Sequence, residues 1–175
     1  MTRRRDGMTG DDSGDPGGPA PGIEIAPAAP ESAEAQWCLA RYYETLDELF
    51  DGGFQLDRSL VPDSGAFAPP RGVFLMATLE GRPVGCGAVK REVADVGYIK
   101  RMWVDPSVRG RGLGRRLLDE LEEAARRLGC SVVQLETNRA LETAIGMYRR
   151  AGYTEVDAFN DEPYAHHWFR KRLSP

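Results

Sequence analysis

One stretch of the sequence, residues 98–121, limits the folds open to this chain more than any other. Its first seven residues, 98–104, are typical of a buried strand, which Pro106 ends. A glycine-rich loop follows, and leucines then recur at helical spacing. The stretch therefore predicts a strand, a loop and an amphipathic helix in direct succession. The loop glycines are Gly110, Gly112 and Gly114, and the helix leucines are Leu113, Leu117, Leu118 and Leu121.

The same loop predicts an anion site. A strand that leads through glycines into a helix N-terminus directs several free backbone N–H groups to one place, where the helix dipole favours negative charge. Glycine lacks a Cβ, so the backbone can approach a phosphate closely. The alternative is a tight turn with a solvated basic face. The basic residues within positions 98–116, opposed only by Asp105, are Lys100, Arg101, Arg109, Arg111, Arg115 and Arg116.

Spacing excludes two common phosphate-binding loops. A Walker loop ends in Gly-Lys followed by Ser or Thr, whereas Gly114 is followed by Arg115 and Arg116. The dinucleotide pattern Gly-x-Gly-x-x-Gly fails because position 115 is arginine. If the loop binds a polyanion, it therefore belongs to another class of site.

Composition and length predict one globular domain over residues 22–175. The chain has 175 residues, 41% of them hydrophobic, which is enough for a real core. Residues 1–21 offer almost nothing to bury and are predicted to be a disordered tail. No apolar run approaches the length of a membrane span, and no apolar segment follows the basic first residues as in a secretory signal. The sequence therefore predicts a cytoplasmic protein.

Charge and cysteine spacing exclude further classes. A net charge of −4 argues against nucleic acid as a partner, because such domains present a dominant basic face. Three widely spaced cysteines without a Cys-x-x-Cys pair indicate neither a disulfide framework nor a zinc site. Cys86 and Cys130 are predicted to be buried thiols, with a nucleophile as the minor alternative.

Hydrophobic periodicity places further elements around the central stretch and predicts a mixed α/β fold. Residues 55–71 form a long connection that either lines a substrate pocket or is merely irregular. The predicted strands are 23–27, 72–78, 83–90, 98–104, 131–137, 153–156 and 166–173, and helices are predicted over 33–50, after Gly112 and over 141–151.

Two motifs together resemble the GNAT acetyltransferase superfamily. Arg109-x-x-Gly112-x-Gly114 is similar to its acetyl-CoA signature, Arg/Gln-x-x-Gly-x-Gly/Ala. Asn138, Ala144, the pair Met147-Tyr148 and the pair Gly152-Tyr153 resemble its C-terminal pattern. The resemblance covers residues 23–173. It implies a central, mostly antiparallel twisted sheet flanked by helices, and transfer of an acetyl group from acetyl-CoA to a primary amine without a metal.

The resemblance also implies which residues meet the co-substrate. Main-chain groups near Met102 and Val104 would pair with the pantetheine arm and stabilise negative charge on the thioester oxygen. Asn138 would contact the co-substrate through its amide, unless it only caps the following helix. The predicted binding residues are Met102, Trp103, Val104, Arg109, Gly110, Arg111, Gly112, Leu113, Gly114, Arg115, Asn138 and Tyr148.

The sequence offers one candidate for the general acid but several for the general base. Tyr148 matches the family's general acid, because a phenol stays protonated at neutral pH, although a core tyrosine is the alternative. Many relatives place a Glu where this chain has Tyr98, and a phenol is a poor base at pH 7. Glu136 is the catalytic candidate, and Glu92, Asp95 or an ordered water are alternatives. The alternative for each carboxylate is a structural or exposed group.

The C-terminal segment and the acceptor leave several alternatives open. His166 and His167 cannot both face one metal from a strand, so one is at best a substrate-pocket group, and Trp168 and Phe169 are predicted core. The function is either N-acetyltransfer to a small-molecule or protein amine, or acetyl-CoA sensing without turnover. A homodimer, common in the family, is a further expectation. Acidic side chains that suit a cationic acceptor, or are simply solvated, are Asp57, Asp63, Asp157 and Glu162.

Overall fold

A seven-stranded sheet forms the centre of the computed structural model, which describes residues 22–60 and 64–175. The predicted tail, 1–21, lies outside the described residues. The strands are β1 (Ile23–Pro27), β2 (Gly72–Leu79), β3 (Arg82–Arg91), β4 (Val96–Val104), β5 (Val132–Thr137), β6 (Thr154–Val156) and β7 (His167–Arg172). The helices are α1 (Ala33–Leu49), α2 (Leu113–Arg127) and α3 (Glu142–Arg150), with short 3-10 helices at Leu56–Arg58, Ser64–Phe67 and Pro106–Val108.

Strand order in the sheet is β1-β2-β3-β4-β5-β7-β6, and only the β4–β5 pair is parallel. Predicted and observed element ends agree to about two residues, the ordinary uncertainty of such boundaries. Within residues 22–60 and 64–175, no helix has the length and apolar character that a bilayer-spanning segment needs.

Helices cover both faces of the sheet, because side chains alternate along each strand. On one face, α1 packs in a cluster with Phe74 of β2 and Trp103 of β4. On the other face, α2 packs in a cluster with Leu75, the next residue of β2, and with Val133 of β5. This confirms the mixed α/β fold with a mostly antiparallel sheet. The predicted leucines of α2 are all buried: Leu113, Leu117, Leu118 and Leu121.

One of the two core residues predicted in β7 is wrong, because neighbouring strand residues face opposite sides of the sheet. Phe169 is fully buried in the main core, as predicted. Trp168, its neighbour, was also predicted to be core, but it is only half-buried and donates its Nε1–H to Asn160 Oδ1 at 2.9 Å. Adjacent strand residues point to opposite faces, so both could not enter the same core.

Local side chains define both ends of α1 and hold the segment that follows it. The Ser32 side chain caps the helix by accepting the Ala35 N–H at 3.2 Å. The helix ends at Phe50, and Gly53, at φ +78°, supplies left-handed backbone in the reversal that follows. Asp47 Oδ1 then accepts the Phe54 N–H at 2.8 Å. The segment after α1 is therefore held close to the helix.

The strand β4 keeps one neighbour and loses the other along its length. It pairs with β3 up to Val104, across a bulge in which Arg101, at φ +60°, is accommodated opposite Gly87. With β5 it pairs only over Val96–Tyr98. Beyond Tyr98, β5 continues beside β7 while β4 diverges from it. We call the resulting opening between β4 and β5 the wedge.

Candidate active site

A cleft of about 760 Å³ follows the wedge and is bordered by α1, by the start of α2 and by α3. This volume is ordinary for a small-molecule site. All but one of the predicted site residues line the cleft, and the exception is Arg111. Those that line it are Met102, Trp103, Val104, Arg109, Gly110, Gly112, Leu113, Gly114, Arg115, Glu136, Asn138 and Tyr148.

The loop before α2 has the geometry of an anion-binding turn. Gly112 occupies the N-cap at φ +73°, and the first turn of α2 has neither a side-chain cap nor an acidic residue. A Cβ on Gly112 or Gly110 would have no described atom within 4 Å, so the space above this backbone is open. A Cβ on Gly114 would lie 3.3 Å from Met147 Sδ, so this glycine instead allows α2 to approach α3. These features fit a phosphate group at the helix N-terminus.

The main chain of Met102 to Val104 forms one wall of the cleft. Because β5 has diverged here, this edge of β4 has no neighbouring strand in the described sheet. An extended ligand arm could pair along it, as predicted for pantetheine. One acceptor on β4 is already used, since Val104 O accepts Arg109 Nε–H at 3.2 Å.

The loop arginines lie at the border of the cleft or outside it. Arg109 folds back onto β4, and Arg115 pairs with Asp119 at 2.9 Å, with both side chains about half exposed. Both border the cleft, so their predicted phosphate contacts stay predictions. Arg111 is exposed and lies off the cleft, which does not support its predicted role.

Tyr148 is a core ring whose hydroxyl reaches the cleft. Its ring packs against Tyr153 and Phe169, with centroids 5.8 and 5.9 Å away. Its hydroxyl lies 3.8 Å from Met102 Sδ, on the opposite wall. Burial, and then the negative charge of Glu136, raise the pKa of Tyr148 well above its ordinary value. The phenol therefore remains a proton donor throughout the neutral range.

Glu136 is a buried carboxylate with one oxygen available to a ligand. Its side chain is 4% exposed, and its Oε1 accepts from the Tyr98 hydroxyl and from Lys100 Nζ, the latter at 3.2 Å. Among the described residues, no hydrogen-bond partner reaches its Oε2. Leaving a buried charged acceptor unsatisfied costs about 1–3 kcal/mol or more, which a donor bound in the cleft would recover.

Tyr98 lies on β4 and donates its hydroxyl to Glu136 on the neighbouring strand β5. Burial, followed by the Glu136 charge, raises the pKa of Tyr98 far above its ordinary value, so its phenol stays a donor to Glu136. Asn160 Nδ2 donates to the same hydroxyl at 3.2 Å. A tyrosine on β4 therefore fixes a carboxylate that β5 supplies.

The other two carboxylates considered as bases lie elsewhere. Glu92 is exposed and pairs with Lys90 at 3.2 Å. Asp95 is exposed and accepts from the Ser131 hydroxyl. Both lie in the connection before β4 and neither lines the cleft. Their positions do not fit the role of base.

Asn138 joins two loops at the end of β5. Its Oδ1 accepts the Ala140 N–H at 2.9 Å, and its Nδ2 donates to Tyr164 O at 2.7 Å. The N-cap of α3 is Leu141, so the alternative of Asn138 as the helix cap is wrong. Contact between Asn138 and the co-substrate stays a prediction.

The half of the cleft opposite the α2 loop is aromatic, and the sequence did not predict it. The rings touch one another: Tyr43 stacks on Phe54 at 5.6 Å, and Phe54 meets Tyr164 at 4.9 Å. No local motif links α1 to the loop before β7. We call the five lining rings the aromatic wall: Tyr42, Tyr43, Phe50, Phe54 and Tyr164.

Residues 54–60, here called the strap, run beside the aromatic wall and are fastened to the loop before β7. Glu162 Oε2 accepts the Leu60 N–H at 2.7 Å and the Ser59 hydroxyl at 3.0 Å. Glu162 is 7% exposed, so it is structural rather than solvated. The prediction that this connection lines a pocket is confirmed for Ser59. Asp57 and Asp157 are exposed, and Asp63 lies outside the described residues.

Lys100 links the strap to the buried carboxylate. Its Nζ donates to Leu60 O at 2.9 Å and lies 3.2 Å from Glu136 Oε1. The lysine is 15% exposed, so its charge is largely withdrawn from water and compensated by these two acceptors. One side chain therefore connects the position of the strap with the orientation of Glu136.

The histidines and cysteines take no part in the cleft. His166 lines a separate pocket of about 290 Å³, and His167 pairs with Glu155 at 2.6 Å, so neither is a group of the main pocket. Cys86 and Cys130 are buried thiols, as predicted. In the part of the chain that the structure describes, no cluster of three or more metal-binding side chains occurs.

Comparison with known proteins gives this geometry a family. The model of the acetyltransferase (GNAT) family matches residues 33–153. The chain belongs to the GNAT acetyltransferases. A relative from Azospirillum brasilense, IAA acetyltransferase, is 34% identical over 145 residues, which cover 82% of this chain and 91% of the relative. An amino-acid acetyltransferase of Mycobacterium tuberculosis is 35% identical over 79 residues, covering 45% of this chain and 42% of the relative.

Solved structures agree with the GNAT fold. A GNAT acetyltransferase from Staphylococcus aureus Mu50 superposes with a TM-score of 0.73 at 18% identity, over 87% of this chain and 99% of that one. The PaiA N-acetyltransferase of Thermoplasma acidophilum, solved in complex with coenzyme A, gives 0.67 at 16% identity, over 86% and 99%. Membership of this acyltransferase family, together with the α2 loop and the wedge, supports acetyl-CoA as the co-substrate.

Proposed function

We propose that the protein moves the acetyl group of acetyl-CoA to a primary amine by direct attack, with Glu136 receiving the amine and Tyr148 serving as general acid. The observation that carries the proposal is the pairing of these groups in one cleft. Glu136 offers a buried oxygen without a described partner, and Tyr148 offers a buried, protonated hydroxyl.

The protons balance as follows. A lysine-like ammonium has a pKa near 10.4, so only about one molecule in two thousand is neutral at pH 7. Glu136 would bind the ammonium and accept its proton, directly or through a water. The nitrogen then forms a bond to the thioester carbon, the carbon–sulfur bond breaks, and Tyr148 protonates the sulfur. Tyr148 recovers its proton from the nitrogen or from solvent, so one proton is released for each amide formed.

Charge that develops on the thioester oxygen needs donors that are already in place. The edge of β4 at Met102 to Val104 lies in the cleft and has no neighbouring strand, so its N–H groups are candidates. Phosphates of the co-substrate would meet the first turn of α2. This assignment supports acetyl-CoA as a reactant rather than only a bound signal.

The experiment is thiol release from acetyl-CoA against a panel of primary amines, with acetyl-CoA affinity measured by calorimetry. Tyr148→Phe should lower kcat about 10²-fold while the affinity changes less than about twofold. Tyr153→Phe is the matched control, because it removes a neighbouring phenol that donates to Glu122 instead. It should change kcat less than about threefold.

Binding of acetyl-CoA without thiol release from any amine would favour the sensor. Tyr98 in place of the expected Glu favours a sensor, but Glu136 on the neighbouring strand supplies a carboxylate that can serve instead. The predicted cytoplasmic location and homodimer stay predictions.

A further inference from the structure

The acceptor half of the cleft combines one available carboxylate oxygen with the aromatic wall. Glu136 Oε2 is the available oxygen. Glu136 lines the same cleft as Tyr42 of the aromatic wall and Tyr148, the proposed acid. Its charge contributes to raising the pKa of both phenols, which agrees with this placement. An amine on Glu136 would therefore have its remaining atoms beside these rings.

The aromatic wall brings five rings to one side of the cleft. Tyr43 and Phe54 lie nearly parallel, at an interplanar angle of 5°, and Phe50 approaches Tyr164 at 5.7 Å. The Tyr164 hydroxyl accepts the Gln55 N–H at 3.0 Å. Burial raises the pKa of Tyr42 and of Tyr43, so neither phenol is charged. Flat apolar groups pack well on such a surface, and a cation is attracted to its ring faces.

The other charged side chains on this side are already engaged. Glu162 accepts from the strap and from the Tyr164 N–H. Lys100 is shared between Leu60 O and Glu136. The Arg101 guanidinium lies over the Phe67 ring at 4.7 Å, and its charge partly offsets the rise that burial causes in the pKa of Tyr43. A second charged group on the acceptor would lose water here without gaining a matched partner, at a cost of about 1–3 kcal/mol or more.

We propose that the acceptor is a small primary amine with a single cationic group on a flat, apolar body, as in an arylalkylamine. The inference rests on the acetyl transfer proposed above and names its substrate class. The ammonium meets Glu136 Oε2, and the ring lies on the aromatic wall between α1, the strap and the loop before β7. Polyamines, aminoglycosides and lysine side chains of proteins are disfavoured, because each brings further polar groups to this surface.

The first test compares 2-phenylethylamine, n-butylamine, 1,4-diaminobutane and a lysine peptide as acceptors at saturating acetyl-CoA. We expect kcat/KM for 2-phenylethylamine to exceed that of n-butylamine about tenfold, and 1,4-diaminobutane and the peptide to fall below n-butylamine. Equal or better use of the diamine or the peptide would overturn the proposal.

The second test removes one ring of the wall. Phe54→Ala should raise KM for 2-phenylethylamine about tenfold and KM for n-butylamine less than about threefold, with kcat little changed. Leu56→Ala is the control, because Leu56 lies on the same strap, is 46% exposed and does not line the cleft. Phe54→Leu keeps much of the volume without the ring, should also raise KM for 2-phenylethylamine, and serves if the alanine variant misfolds. An equal rise for both amines would count against the proposal.

Calorimetry of amine binding in the presence of coenzyme A separates this inference from the proposed function. If no amine is acetylated but 2-phenylethylamine binds more tightly than n-butylamine and 1,4-diaminobutane, acetyl transfer fails and the acceptor site stands. If amines are acetylated with the opposite preference, acetyl transfer stands and the acceptor class fails. If 2-phenylethylamine neither binds nor reacts, the acceptor class fails.

Discussion

The two halves of the cleft are built in different ways. The proposed co-substrate half is mainly one continuous stretch of chain, from Met102 on β4 to Arg115 on α2, and it offers mainly backbone groups. The acceptor half is assembled from α1, the strap, β5 and the loop before β7, and it offers side chains. Backbone geometry suits a reactant shared by a whole family, whereas side chains from separate segments can change independently. The proposed binding of the shared reactant therefore depends on the main chain, whereas the proposed choice of acceptor depends on side chains.

Glu136→Gln should have the largest effect, because it removes charge from the one group that both halves approach. Gln keeps the shape but cannot accept a proton, so kcat should fall about 10²- to 10³-fold while acetyl-CoA affinity changes less than about twofold. Steady-state kinetics and calorimetry measure the two quantities. The control is Glu92→Gln, on an exposed carboxylate outside the cleft. Similar losses of kcat in both variants would contradict the proposed role of Glu136 as the base.

Tyr98→Phe tests whether the acceptor half depends on a positioning residue. It removes the hydrogen bond that fixes Glu136, and bonds to charged groups contribute about 1.5–3 kcal/mol. We expect kcat to fall about tenfold with acetyl-CoA affinity unchanged, because only the carboxylate loses its orientation. A loss of acetyl-CoA affinity of the same size would mean that the two halves are not separable.

Gly112→Ala tests the co-substrate half through its backbone alone. Left-handed backbone at φ +73° costs a non-glycine residue about 1–2 kcal/mol, so the free protein should relax and acetyl-CoA affinity should fall about fivefold. Gly81→Ala is matched in strain, at φ +76° in the β2–β3 turn, and both sites leave room for a Cβ. Thermal unfolding should respond similarly in the two variants. Only Gly112→Ala should weaken binding.

The smallest expected effect is the absence of a pH transition. An ordinary phenol ionises near pH 10, but burial and the Glu136 charge raise the pKa of Tyr148, so its ionisation is displaced to higher pH. At saturating amine and acetyl-CoA, kcat should therefore stay level from about pH 8 to about pH 10. A fall centred near pH 10 that disappears in Tyr148→Phe would show that the hydroxyl is more exposed to water than this cleft suggests.

The sequence predicted the strand, the glycine loop and the helix of the proposed co-substrate half, because the information for them is local. Glycine spacing, the strand before it and the leucine pattern of α2 lie within twenty-four consecutive positions, 98–121. Such patterns directly reflect backbone conformation and helix amphipathicity. Arg111 is the exception, since a loop side chain takes its direction from tertiary contacts.

The acceptor half could be predicted only in fragments. Glu136 was one of several candidate carboxylates, and only the parallel contact between β4 and β5 brings it beside Tyr98. Phe54 and Tyr164 carry no motif, and their contact depends on how the loop before β7 meets the strap. The sequence does not distinguish a solvated Glu162 from a buried one, and only the structure shows its three hydrogen-bond donors. Contacts between distant segments are decided by packing, which periodicity does not report.

The wedge has a consequence for how much protein persists in the cell. A ligand arm lying along β4 would complete a sheet that is otherwise interrupted beyond Tyr98, so binding and folding are thermodynamically linked. At a free ligand concentration of 100 times Kd, this linkage adds about 2.7 kcal/mol to the free energy of unfolding. Amide hydrogens along β4 should then exchange more slowly with solvent. When acetyl-CoA is scarce, the protein would unfold and be degraded more readily, so the metabolic state would influence its abundance as well as its turnover.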